Sequence, residues 1–174
     1  MLNLLRTSAL LLLAWAPLAG ADARRDDVMS MLRGYEWEPA LVRGALNDET
    51  WPLLMDIAKD ESLPRYIRSR ASAALTQYPT EEVWQSYAER LDTETGAARR
   101  RVVDAICEGF VERREERVEV VMKPLLGATD AHLRSRAAIC LERIDTESAR
   151  RALQQYRQRV SSSWEAQLIG GNGQ

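Results

Sequence analysis

Apolar residues recur three or four positions apart along most of the chain, the period of one helix face. Ile67, Ala71, Ala74, Leu75 and Tyr78 fall on one side of such a helix, as do Leu133, Ala137, Cys140, Leu141 and Ile144. A second amphipathic stripe precedes each of these and another lies between them. The stripes are Leu53, Leu54, Ile57 and Ala58; then Val83, Trp84, Tyr87, Ala88 and Leu91; then Val118, Val121, Met122, Leu125 and Leu126. A fourth, Ala149, Ala152, Leu153 and Tyr156, follows Ile144. Punctuation agrees with these limits. Thr50 ahead of Trp51-Pro52 reads as an N-cap with an early-turn proline. Pro79-Thr80, Gly127 to Asp130 and Asp145-Thr146 supply turn and cap residues. Pro124 should bend or end its helix. No stretch alternates apolar and polar residues for long enough to form a strand. The pattern predicts an all-α protein.

The helices repeat. Ile67 to Leu75, Ala98 to Ile106 and Leu133 to Leu141 align, with starts 31 and 35 residues apart, and a period of 20–50 residues marks stacked units. Small residues at shared positions (Ala71, Ala74, Ala105, Ala137) would let neighbouring helix axes approach to about 8–10 Å. Asp26 to Tyr35, with Val28, Met31 and Leu32 on one side, should be a helix that covers the first open edge. The repeat domain then spans 24–160. Residues 161–174, with Ser161 to Ser163 and the ending IGGNGQ, read as a flexible tail.

The amino terminus has a different pattern. Arg6 is followed by an apolar run from Thr7 to Leu18, and Ala19-Gly20-Ala21 and Ala21-Asp22-Ala23 both fit a small-residue cleavage site. The run is shorter than the roughly 20 residues a permanent span needs. Residues 1–23 therefore read as a secretory signal peptide, with an uncleaved anchor as the alternative and the only route to a membrane. Ala21 stands where a lipoprotein signal needs cysteine. The expected location is periplasmic or extracellular, soluble after cleavage.

Composition removes several classes of function. Apolar residues are 45% and charged residues 29%, the balance of a globular domain. Lys+Arg 24 against Asp+Glu 26 leaves a net charge of −2, which argues against a nucleic-acid partner. One histidine, His132, and two cysteines, Cys107 and Cys140, exclude a zinc finger or a His-rich metal cage. No cofactor is implied.

The remaining chemical signals are weak. His132 starts a helix beside Asp130 with no marked nucleophile, which favours a solvated histidine. Glu115-Glu116 sit within a mixed-charge run, Glu112 to Arg117, that reads as a solvated face. In the repeat frame Cys107 and Cys140 point about 160° apart at 100° per residue. Adjacent parallel helices face each other with opposite flanks, so these thiols could meet as a disulfide. Two separate buried thiols are the alternative. Arg68, Arg99 and Arg134 share one repeat position, and Arg70, Arg101 and Arg136 share another. Each set would form a ladder able to grip carboxylates or phosphates. Inter-repeat ion pairing with Asp104, Asp130 or Glu142 is the structural alternative. Trp37, Trp51 and Trp84 have the spacing of core or cap packing, although aromatics also anchor partners.

The pattern apolar-Arg-x-x-Ala-x-x-Ala-Leu after a helix and a turn, clearest in Ile67 to Leu75 and Leu133 to Leu141, resembles HEAT repeats of the bacterial, phycobilisome-lyase-like type. Leu32-Arg33-Gly34-Tyr35-Glu36 is similar to the opening of secreted proteobacterial HEAT-repeat proteins. The middle copy departs from the pattern at Ala98 and Val102. The resemblance implies a short right-handed α-solenoid of antiparallel helix pairs over about 26–160. It also implies a scaffold or adaptor rather than an enzyme. HEAT-repeat diiron hydroxylases carry paired His-Glu dipeptides that this chain lacks. HEAT-like DNA glycosylases need nucleic acid, which an exported protein does not meet, and nothing marks the tetrapyrrole site of a phycobilin lyase. The expected function is non-catalytic binding of a protein or peptide on the curved surface, through Arg68, Ser72, Arg99, Arg100, Asp104, Arg134 and Ser135. A self-associating envelope protein is the alternative, and an enzyme working through a carboxylate cleft is a further one.

Overall fold

The computed structural model describes residues 18–45, 49–160, 164, 165 and 167. These form nine α-helices: α1 (Leu18–Arg33), α2 (Pro39–Ala45), α3 (Trp51–Lys59), α4 (Arg65–Ala74), α5 (Glu81–Thr93), α6 (Gly96–Phe110), α7 (Glu115–Met122), α8 (Ala131–Glu142) and α9 (Glu147–Arg159). Short 3-10 segments extend α4 (Leu75–Gln77) and α7 (Lys123–Gly127). The described residues contain no strand.

The predicted stripes are the buried faces. Leu54 and Ile57 on α3, Ile67, Ala71 and Ala74 on α4, and Val83 on α5 are sealed from water. So are Val118 and Met122 on α7, Ala137, Cys140 and Leu141 on α8, and Ala149 on α9. A fully buried Leu or Ile contributes about 1.5–3 kcal/mol, so one continuous apolar face accounts for the association of these short helices. Caps fix where they start. Thr80 accepts the Val83 amide at 3.2 Å, Asp130 accepts those of His132 and Leu133 at 2.9 and 3.3 Å, and Thr146 accepts that of Ala149 at 3.0 Å. Each bond satisfies an orphan amide of a first turn. Thr50 behaves differently: it precedes α3, but its hydroxyl does not cap that helix. Pro124 ends α7 as its missing N–H requires, and the chain tightens into the 3-10 segment there.

Neighbouring helices pack on one another. α3 lies on α4, α5 on α6, and α7 with its 3-10 extension on α8, while α9 also packs on α8. α6 joins the two halves, touching the 3-10 end of α4 on one side and α8 on the other. Gly109 makes the first of these approaches possible, because a Cβ there would stand 2.9 Å from the Thr76 carbonyl oxygen. Phe110, fully buried, fills the junction and meets Trp84 edge-on at 5.2 Å and Tyr87 at 6.1 Å. Such pairs add about 0.5–1.5 kcal/mol beyond burial.

Both ends differ from the sequence expectation. The opening helix spans 18–33 rather than 26–35, because the Ala-rich stretch ahead of Asp26 carries no proline to stop it. It ends at Gly34, whose amide bonds back to Met31. Helix α2 was not legible, being only two turns long with one buried residue, Val42. At the other end, residues 161–163 and most of 166–174 lie outside the described residues. Glu165, placed in the tail by sequence, is instead helical and 1% exposed. It is buried because Arg134 and Tyr156 donate to its carboxylate. The apolar run Thr7 to Pro17 of the expected signal also lies outside the described residues. No helix among them is long and apolar enough to cross a membrane.

Candidate functional site

Polar residues on α4 and α6 fall at helical spacing beside the buried stripe. Arg65, Arg68 and Ser72 occupy one flank of α4, and Arg101, Asp104 and Glu108 one flank of α6. Because α6 packs on the 3-10 end of α4, the two flanks converge on a groove of about 610 Å³. Met55, Ala58 and Lys59 close one side from α3, and Ser86, Glu89 and Arg90 close another from α5.

The groove has a braced floor. The Tyr87 hydroxyl donates to the Ser72 carbonyl, and Arg90 donates to the Ser72 hydroxyl at 2.6 Å. Arg90 also holds Glu94 at 2.6 Å and lies over the Tyr87 ring, 5.8 Å from its centre. Burial pushes the Tyr87 phenol well above its ordinary value, so it remains a neutral donor. Ser72 is therefore fixed in place, with its hydroxyl already used as an acceptor.

Arg68 is placed differently. Its Nε is shielded from water and finds no hydrogen-bond acceptor among the described residues. A buried donor in that state costs about 1–3 kcal/mol. Arg99 Nε is likewise unpartnered, but Arg99 does not line the groove.

The expected contact residues thus separate. Arg68, Ser72 and Asp104 converge on the groove, while Arg99, Arg100, Arg134 and Ser135 lie outside it. Arg100 faces Asp130 at 3.7 Å. Asp104 also receives a bond from Arg136, an ion pair between α6 and α8 of the kind the sequence offers as the structural alternative. Ser135 is not an exposed contact. It is 3% exposed and its hydroxyl donates to the His132 carbonyl at 3.2 Å. The reason is that α8 is flanked by α6, α7, the 3-10 extension and α9, so more than one of its faces is covered. Arg134 is consumed internally. Its Nε and Nη2 fork onto the two Glu165 oxygens at 2.9 and 2.8 Å, and Nη1 reaches the Ala128 and Thr129 carbonyls at 2.8 and 3.1 Å.

The second arginine set also carries structure. Arg70 donates to the Leu32 and Gly34 carbonyls at 2.9 and 2.8 Å and stacks on Trp37 at 5.3 Å, tying the end of α1 to α4. Trp84 is buried, and Trp37 and Trp51 pack half-buried against the core. His132 is exposed beside Trp164, ring centres 5.0 Å apart. Cys107 and Cys140 are free thiols, both buried, on the packed pair α6 and α8. Lys59, Arg65, Arg101 and Glu108 were missed as groove residues. The i, i+3, i+7 spacing of Arg101, Asp104 and Glu108 was the available signal.

Among the described residues, no cluster of His, Cys, Asp and Glu is placed to hold a metal ion. Comparison of the chain with protein-family models, with curated proteins and with solved structures gives no match.

Proposed function

We propose that this protein is an exported, non-catalytic interaction module whose α4–α6 groove holds an extended segment of a partner protein. In this reading the helix pairs are HEAT-like repeats stacked as a short right-handed solenoid, and function follows from the surface that stacking leaves between repeats. The observation that carries the reading is the convergence of Arg65, Arg68 and Arg101 on one groove between α4 and α6. A guanidinium favours planar, forked acceptors such as the carboxylates and backbone carbonyls of an extended segment. Arg65 and Arg101 lie on the same groove for a second acidic contact, and Asp104 and Glu108 can meet a basic residue or backbone amides.

The test is selection from a library of extended peptides on the folded protein. Peptides bearing a carboxylate should be enriched, and Arg68→Glu should weaken them at least about tenfold, the scale of one charge-assisted bond. A library without binders, or binders indifferent to Arg68→Glu, would overturn the reading.

A further inference from the structure

A second cavity, of about 450 Å³, opens between α6 and α8 and shares Asp104 and Glu108 with the groove. Cys107, His132, Arg136, Ile139 and Arg143 line it. Cys140 does not line it; it is fully buried on α8, which packs on α6, and the two thiols are close enough to shift each other's titration. Arg143 is anchored by its Nη1 on the Cys107 carbonyl at 3.2 Å, which brings the same nitrogen to 3.5 Å from the Cys107 sulfur. One thiol thus stands at the cavity with a cation on it, and the other is buried on the helix packed against it.

We infer that Cys107 and Cys140 form a thiol–disulfide exchange site that accepts a low-molecular-weight disulfide through this cavity. The Cys107 thiolate attacks one sulfur of the disulfide RSSR. A Cys107–SR bond forms, the S–S bond breaks, and one thiolate RS⁻ leaves with the electron pair. Cys140 gives up its proton to solvent and attacks the Cys107 sulfur. The Cys107–Cys140 bond forms and the second RS⁻ departs. Two protein thiols are oxidised, one disulfide is reduced to two thiols, and α6 becomes covalently tied to α8.

The order of attack follows from the environment. The neighbouring Cys140 and then Arg143 hold the Cys107 thiol below its ordinary range, against desolvation and the Asp104 carboxylate, which would raise it. The Cys140 thiol is held well above that range by Cys107 and by burial. Two thiols in contact titrate as a pair, and its first proton leaves from Cys107.

Glutathione disulfide is the probe, added to the folded full-length chain and followed by mass spectrometry. The wild type should lose two hydrogens and carry no adduct. Cys140→Ser should stop at one glutathione on Cys107, and Cys107→Ser should stay unmodified. Arg143→Gln in the Cys140→Ser background should slow adduct formation by about three- to tenfold, with an unchanged melting curve. Cys107→Ala and Cys140→Ala serve where a serine variant melts early. The inference is overturned if the folded wild type keeps both thiols while the urea-unfolded chain oxidises. It is equally overturned if Cys140 takes adduct in Cys107→Ser as fast as Cys107 does in Cys140→Ser.

Discussion

Arg68 on α4 and Arg134 on α8 occupy the same position in two copies of one sequence unit, and their surroundings are opposite. Around Arg134 every guanidinium nitrogen has a partner, and the Glu165 carboxylate beneath it is 2% exposed. Glu119 on α7 accepts from Thr146 and Lys123, which ties α7 to the cap of α9. Around Arg68 a groove opens and one buried N–H has nothing to donate to. A repeated residue therefore becomes structural where the chain supplies a carboxylate and remains available where it does not. Glu165 makes the difference, and it lies outside the repeated segments.

Three measurements test this contrast. The largest effect should come from Arg134→Met, which leaves Glu165 buried without its cation. Breaking such a pair from one side costs about 3–5 kcal/mol, read as a lower urea midpoint with the slope unchanged. Changing Glu165→Leu as well should recover most of the loss, since a well-packed apolar pair can replace a buried ion pair. A single variant as stable as wild type would mean that Glu165 does not depend on Arg134.

An intermediate effect, dependent on pH, is expected at Glu119. Hydrogen bonds from Ser148 and Thr146, and then Lys123, lower its pKa from the ordinary 4.5 to about 2. A depressed carboxylate stabilises the fold above the unfolded value and loses that contribution as pH falls through the folded one. Glu119→Gln should therefore cost about 1–2 kcal/mol at pH 7, less than the shift alone implies because Lys123 is partly solvated. The gap to wild type should close between pH 4.5 and 2. Thermal melts across that range check it, and a constant gap would remove the carboxylate from the account.

The smallest effect should come from Arg68→Met. With no partner to lose and an unsatisfied buried N–H removed, the fold should lose no stability and gain up to about 1 kcal/mol. Differential scanning calorimetry of Arg68→Met beside Arg134→Met would show the contrast directly. Equal destabilisation by both would dissolve it.

The buried faces were legible because helical periodicity is local. Ile67, Ala71 and Ala74 must share a side of any helix they form, and all three are buried. The caps at Thr80, Asp130 and Thr146 were legible for the same reason, as each bonds an amide two or three residues on. The site was only partly legible. Ser135 sits at a position that a two-sided helix would leave exposed, and it is buried because α8 has neighbours on several sides. Arg65 and Arg101 became groove residues only when α4 and α6 were brought together.

The sequence by itself determined that the protein is helical, where most helices begin and end, and which stripe each one buries. These follow from hydrogen bonds and side-chain spacing within a few residues. Tertiary packing alone decided which arginines are spent and which are spare, and that Glu165 folds inward. Those outcomes depend on residues about thirty positions apart coming into contact, and a local pattern carries no record of which partner arrives.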